Sequence, residues 1–196
     1  QIEWDSLIPE LQFGGINAVI AGMTDTEERR QTIDFTNEYY RSELVLVVKD
    51  DIANQYTSAL SENEFANLIE NKMIVSQSST VTDDVIDIFA SSYGAIHNNP
   101  VSTFGYAAAD VQNGSAFAMT AELPVARSII KAFPDLGIIH IDQNILGETQ
   151  SELGVSIGIA KGNNDLCTKL NNALAEITIE QRNQIMEEAV SRSTTY

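Results

Sequence analysis

The sequence predicts an α/β fold built as two lobes with mostly parallel sheets, and three observations carry that reading. β-Branched apolar runs, such as Glu43–Lys49 (ELVLVVK) and Lys72–Gln77 (KMIVSQ), have the composition of buried strands. Stretches of helical period, such as Thr82–Ser92 and Leu123–Phe133, alternate with them, and alternation of this kind implies parallel strands covered by helices. Two polar connections, Asp50–Ser61 and Ile145–Leu153, interrupt the pattern, so the chain crosses twice between two lobes joined by a pair of strands.

The elements follow in order. Asp5 is placed to cap a helix over Ser6–Gln12, with Leu7, Ile8 and Leu11 on one face, and Gly14-Gly15 ends it. Ala18–Ile20 reads as a short buried strand. Gly22 breaks it, and Thr24-Asp25-Thr26-Glu27 fits the S/T-x-x-E capping box that opens a helix. Thr36–Tyr40 reads as irregular, Glu43–Lys49 as a strand and Asp50–Ser61 as a connection at a lobe boundary. A second α/β pattern runs through a helix at Glu62–Glu70, a strand at Lys72–Gln77 and a hydroxyl-rich turn at Ser78-Ser79-Thr80. The helix Thr82–Ser92 points Val85, Ile86 and Phe89 inward. Val101–Phe104 is expected as a strand, Ala107–Gln112 as a short helix stopped by Asn113-Gly114, and Ser115–Thr120 as a strand. Leu123–Phe133 tolerates Pro124 in its first turn. Leu136–Ile141 and Gly154–Ala160 are strands, and the amphipathic helices Asp165–Ile177 and Ile179–Ser191 close the chain. Thr178 is the expected cap of the last helix.

Composition narrows the functions. The 196 residues are 43% hydrophobic, enough for one large domain or two small lobes. The 28 acidic and 11 basic residues give a net charge of -17, a surface that repels phosphate backbones and anionic lipid. Nucleic acid is therefore not an expected partner. With one cysteine, Cys167, no intramolecular disulfide forms; its neighbours Leu170 and Leu174 make it a core residue rather than a reactive thiol. His97 and His140 lack metal-ligand spacing, so no metal or cofactor is expected. No stretch reaches the ~18 apolar residues of a membrane span. Gly154-Val155-Ser156-Ile157-Gly158 fits G-x-S-x-G, but a nucleophile elbow needs a helix straight after the serine, and here the apolar run continues through Ile159-Ala160. Asn113-Gly114-Ser115 fits a glycosylation sequon too short to carry weight.

The segment Asn17–Tyr40 organises the rest. It passes from strand to helix through a glycine, which sets backbone N–H groups and a helix N-terminus at the carboxyl end of a strand, where α/β proteins hold anions. Arg29 and Arg30 lie just inside that helix. A guanidinium fork pairs with both oxygens of a carboxylate, although arginines on a capped helix also serve simply as a solvated face.

Ala21-Gly22-Met23-Thr24-Asp25-Thr26-Glu27-Glu28-Arg29, with Ile33-Asp34-Phe35-Thr36 and Tyr39-Tyr40, resembles the signature of the bacterial extracellular solute-binding proteins of family 3, the receptors of polar amino-acid ABC transporters. The resemblance extends along nearly the whole chain. It implies the type II periplasmic-binding-protein fold, with residues 1–48 and 154–196 in lobe 1, 49–153 in lobe 2, and a two-strand hinge. It also implies a βαβ unit of about 30 residues or more ahead of Gln1. Without that unit lobe 1 is incomplete, exposing strand edges and apolar helix faces. The expectation is a truncated chain that dimerises, swaps an element or borrows a strand.

By the same resemblance, Arg29 takes the α-carboxylate of an amino acid, helped by the backbone of Gly22 and the N–H and hydroxyl of Thr24, with Ala21 in the same loop. Arg30 lies about 100° round the helix and faces solvent. In lobe 2, Ser79 and Thr80 meet the same carboxylate; Ser78 stands where the family usually has glycine, and an ordinary helix cap is the competing reading of Thr80. Glu122, where the family usually has an acid, binds the α-ammonium; as a lone acid at a helix start it also suits the helix dipole. A zwitterion bridging the lobes favours the closed state.

The function implied is an extracytoplasmic receptor, periplasmic or lipid-anchored, that delivers a free amino acid to an ABC transporter permease. An amino-acid-sensing ectodomain is the first alternative. A cyclohexadienyl or arogenate dehydratase-type enzyme on the same fold is the second, but it needs a general acid, and Glu122 is already claimed by the ammonium. The chain is thus expected not to be an enzyme. The signature leans towards arginine, histidine, lysine or glutamine.

Overall fold

The computed structural model describes residues 2–193, and the chain starts with a 3-10 turn at Trp4–Ser6 that continues into α1 (Leu7–Gln12). Asp5 lies inside that turn and does not cap the helix; Ser6 holds the cap position without a side-chain bond. Next come β1 (Ala18–Val19), α2 (Glu27–Arg30), β2 (Ile33–Phe35) and β3 (Tyr40–Arg41). The expected buried strand at 18–20 is shorter than its apolar run, because Ile20 turns out to solvent and is 66% exposed.

The middle of the chain contributes β4 (Leu44–Lys49), α3 (Asp50–Ala53), α4 (Glu62–Ile69), β5 (Met73–Val75), α5 (Val81–Tyr93), β6 (Ile96–His97), α6 (Phe104–Asn113), β7 (Ala118–Glu122), α7 (Leu123–Ala132) and β8 (Leu136–His140). A kinked 3-10 segment, Gln143–Leu153, turns at Gly147 with φ 57°. The chain ends with β9 (Gly154–Val155), β10 (Gly158–Ala160), α8 (Asn164–Ala175) and α9 (Ile179–Arg192).

Two units result: Gln1–Arg41 with Ser151–Glu187, and Ser42–Gln150 with Glu188–Tyr196. In the first, β10 lies between β1 and β2 and runs antiparallel to both; β3 pairs antiparallel with β9. Leu11, Val19, Met23 and Ile33 form its core, with Trp4, Leu7, Ile8, Ile16 and Phe35 packed against it. Helices α8 and α9 have no buried residue, and Phe13, Ile179 and Ile185 are exposed. Cys167 is accordingly half-buried, its Sγ 3.5 Å from the Phe35 carbonyl, instead of a core residue. Thr178 does cap α9, exchanging hydrogen bonds with Gln181.

The second unit holds a five-stranded sheet, β6-β5-β7-β4-β8. The sheet is mixed instead of mostly parallel. The helix-linked strands β5, β6, β7 and β8 share one direction, and β4, which follows the change of unit at Arg41 to Ser42 and not at Asp50–Ser61, runs against its neighbours β7 and β8. In the first unit β10, which follows the second crossing, plays the same part. Strand β4 was expected in lobe 1 but lies in this sheet, between β7 and β8, and Leu44–Val48 are wholly buried. Its alternation puts Val45 and Val47 against Ala107, Ala108 and Val111 of α6 and Ala126 and Ile129 of α7. Away from that layer, Phe65 of α4 meets Phe89 of α5 edge-on at 4.7 Å and Tyr93 at 5.3 Å. Each such side chain contributes about 1.5–3 kcal/mol by burial.

The expected strand Val101–Phe104 does not form. Val101 makes a single bridge to Gln77, Thr103 caps α6, and the edge strand is β6, which the sequence reading passed over.

Candidate functional site

Helix α2 is one turn long because its cap is Thr26, not Thr24: the Thr26 hydroxyl accepts from Arg29 N at 3.2 Å. Thr24 is thereby released from capping. It is 3% exposed, bridges to Val155, and anchors Arg29. Arg29 Nη1 donates to the Thr24 carbonyl at 2.9 Å and to the Thr24 hydroxyl. The Arg29 guanidinium carbon stands 5.9 Å from the centre of the Trp4 ring, a cation–π distance. A long, flexible cation is therefore held at a fixed place beside the loop.

Gly22 has φ +70°, the left-handed region where a side chain is strained, and its N–H points to the Tyr39 hydroxyl at 3.4 Å. Burial raises the Tyr39 pKa, keeping the hydroxyl protonated. Ala21 is exposed beside it. Ala21, Gly22, Thr24 and Arg29 thus share one loop and helix turn of the first unit. Arg30 faces the other way, its side chain 63% exposed and forked onto Asp25, which raises its pKa.

The remaining predicted residues sit at one edge of the second unit's sheet. Strands β5 and β7 are parallel neighbours, so the turn leaving β5 and the end of β7 emerge together. The left-handed residue of that turn is Ser79, at φ 59°, and not Ser78. Ser78 instead donates its N–H to Val101 at 2.8 Å, so the family's glycine is not required at that place. The Thr80 hydroxyl donates to the Gln77 carbonyl at 2.7 Å and accepts from Asp83 N at 3.2 Å. It caps α5, as the competing reading of this residue has it. Glu122 ends β7 opposite Leu44 and occupies the cap position of α7 without a side-chain capping bond.

A buried hydroxyl network, absent from the sequence reading, ties this edge together. Ser76 Oγ donates to the Thr120 carbonyl at 3.1 Å and lies 2.9 Å from Thr82 Oγ1, while Thr120 Oγ1 donates to the Thr82 carbonyl at 2.7 Å. All three residues are fully buried. The network locks the turn before α5 to the strand carrying Glu122.

Sequence patterning also missed His97. Its Nε2 lies 2.9 Å from Asp83 Oδ1 and its Nδ1 2.8 Å from Asp87 Oδ1. Burial lowers its pKa, but the bonds to Asp87 and Asp83 outweigh this and raise it. Burial of Asp83 raises that carboxyl's pKa, with His97 opposing. Ser156 is buried between β9 and β10, its N–H on the Met23 carbonyl at 2.9 Å, and the next helix starts only at Asn164, so it is no elbow nucleophile. Among the described residues no cluster suits a metal ion, and no helix is long and apolar enough to cross a membrane.

Comparison with known proteins then decides the family. Residues 1–189 match the bacterial extracellular solute-binding proteins, family 3. The chain belongs to that family. It is 29% identical over 178 residues to the ABC transporter arginine-binding protein 1 of Escherichia coli K12, an alignment covering 89% of this chain and 65% of that protein. The L-arginine-binding protein of Pseudomonas aeruginosa PAO1 is 27% identical over 180 residues, 88% of this chain and 63% of that one. The chain thus spans a little under two thirds of the length of these curated relatives. Among solved structures, the substrate-binding protein of an amino acid ABC transporter superposes with a TM-score of 0.76 at 30% identity, over 96% of this family 3 chain and 77% of that one. The fold of this family 3 protein is the type II periplasmic-binding-protein fold.

Proposed function

We propose that this chain forms the ligand-binding body of an extracytoplasmic receptor, in the periplasm or tethered to lipid, that takes a polar amino acid to an ABC transporter permease. The observation that carries the reading is the Arg29 guanidinium, fixed on Thr24 inside the family signature. In this reading Arg29 receives the α-carboxylate and Glu122 the α-ammonium of one amino acid. Thr80 contributes its backbone N–H at the start of α5, since its hydroxyl is spent on the cap. The relatives named for arginine make L-arginine the first ligand to try. Nothing beyond binding is required of the site: Glu122 has one task, so substrate leaves unchanged.

A thermal-shift screen of the amino acids tests this. At a hundred times Kd the expected stabilisation is about 2.7 kcal/mol, a rise in Tm of roughly 5–10 °C. Arginine is expected to give the largest shift, with histidine, lysine and glutamine next. No shift from any amino acid contradicts the receptor reading, and turnover of arogenate contradicts its non-enzymatic part.

A further inference from the structure

His97 is the one imidazole with a carboxylate on each ring nitrogen, Asp83 at 2.9 Å and Asp87 at 2.8 Å, among the described residues. Carboxylates only accept, so a neutral ring satisfies one of them and an imidazolium satisfies both. Asp83 is the third residue of α5, and its own N–H caps onto Thr80. It is 8% exposed, so its charge is weakly screened by solvent. A bare carboxylate there opposes any anion approaching the same helix end, whose positive potential it consumes. The other charged groups nearby do not compensate. Asp84 and Asp87 on α5 and Glu122 at the end of β7 add negative charge, as do Glu62 and Glu64 of α4, of which Glu62 accepts from Tyr93 at the far end of α5; β5 carries no ionisable residue, and Lys72 ahead of it lies over the Phe117 ring at 5.4 Å.

We propose that His97 is a positioning residue for ligand capture. As an imidazolium it neutralises Asp83 and keeps the start of α5 receptive to the ligand's α-carboxylate. On losing its proton it exposes that helix end to the Asp83 charge. Ligand affinity then falls as pH rises through the titration of His97, and ligand binding in turn tightens the His97 proton. This inference rests on the receptor reading and adds to it a pH dependence set by a side chain that never touches the ligand.

The test uses the amino acid that stabilises the protein most, L-arginine being the expected probe. Its affinity is measured calorimetrically from about pH 6 to pH 8, below the range where its own ammonium titrates, with imidazole NMR in parallel. Affinity is expected to drop about fivefold across that range, and saturating ligand to raise the His97 pKa by about 0.7. His97→Gln is expected to bind weakly and flatly throughout. Asp87→Asn removes one of the two negative charges on the ring, at an exposed position, and moves the drop to lower pH, which serves if His97→Gln fails to fold. Retention of the wild-type pH profile in His97→Gln overturns this inference alone, as does a His97 titration that saturating ligand leaves unmoved. Absence of binding by every amino acid at every pH overturns the receptor reading and this inference with it.

Discussion

Arg29→Ala is expected to lose amino-acid binding by at least about 30-fold, whereas Arg30→Ala binds within about twofold of the parent. Truncating one member of a desolvated charge pair costs about 2–5 kcal/mol, much of it from the partner left unpaired. In the proposed receptor that partner is the ligand's own carboxylate. The two arginines are adjacent in sequence and identical in chemistry, and what separates them is what they touch. Arg29 is half-buried and tied to Thr24. Arg30 is exposed and paired with Asp25, an arrangement worth about 0–1 kcal/mol of stability and nothing to a ligand. Isothermal titration of both variants reads the difference, and equal losses from both would contradict the assignment.

Phe65→Ala is expected to lower stability by about 3–5 kcal/mol and the Tm by roughly 6–20 °C. Phe65 is wholly buried and meets two other rings edge-on, so truncation loses the transfer of the ring, the aromatic contacts and the packing around the void. Ile185→Ala is the matched control. Ile185 is 55% exposed on α9, and its loss is expected to stay within about 0.5 kcal/mol. Denaturant unfolding of the three proteins gives the comparison; similar midpoints for Phe65→Ala and Ile185→Ala would show that the core of the second unit is not where the burial puts it.

Local pattern made most of this fold legible, and the failures share a cause. Thr82–Ser92 and Leu123–Phe133 were readable because an amphipathic helix writes its own period into sequence. The cap lies two residues later than the capping box predicts: Thr24 and Thr26 both fit a cap, and only the bridge from Thr24 to Val155, far along the chain, decides between them. Strand β6 is two residues long and has no pattern to read. Its neighbour Val101 has strand composition but only one partner. The direction of β4 depends on which edge the chain crosses to, which no stretch of sequence encodes.

The candidate site divides in the same way. Arg29 and Gly22 are candidates because the family signature contains them, and Glu122 because the family usually has an acid at that place. The hydroxyl network of Ser76, Thr82 and Thr120 and the Asp83–His97–Asp87 cluster were not legible, because their members meet across strand and helix. Thr80 suits a cap and a ligand contact alike by type and position, and the bonds of its hydroxyl to the Gln77 carbonyl and the Asp83 N–H make it the cap of α5.

The central claim is that one ligand presents a carboxylate to Arg29 and an ammonium to Glu122. Calorimetry with L-arginine, its decarboxylated amine agmatine and its Nα-acetyl derivative tests this most directly, since each analogue deletes one end and keeps the side chain. Arginine is expected to bind, and each analogue to lose at least about 30-fold. Agmatine or acetylarginine binding as tightly as arginine would contradict the claim.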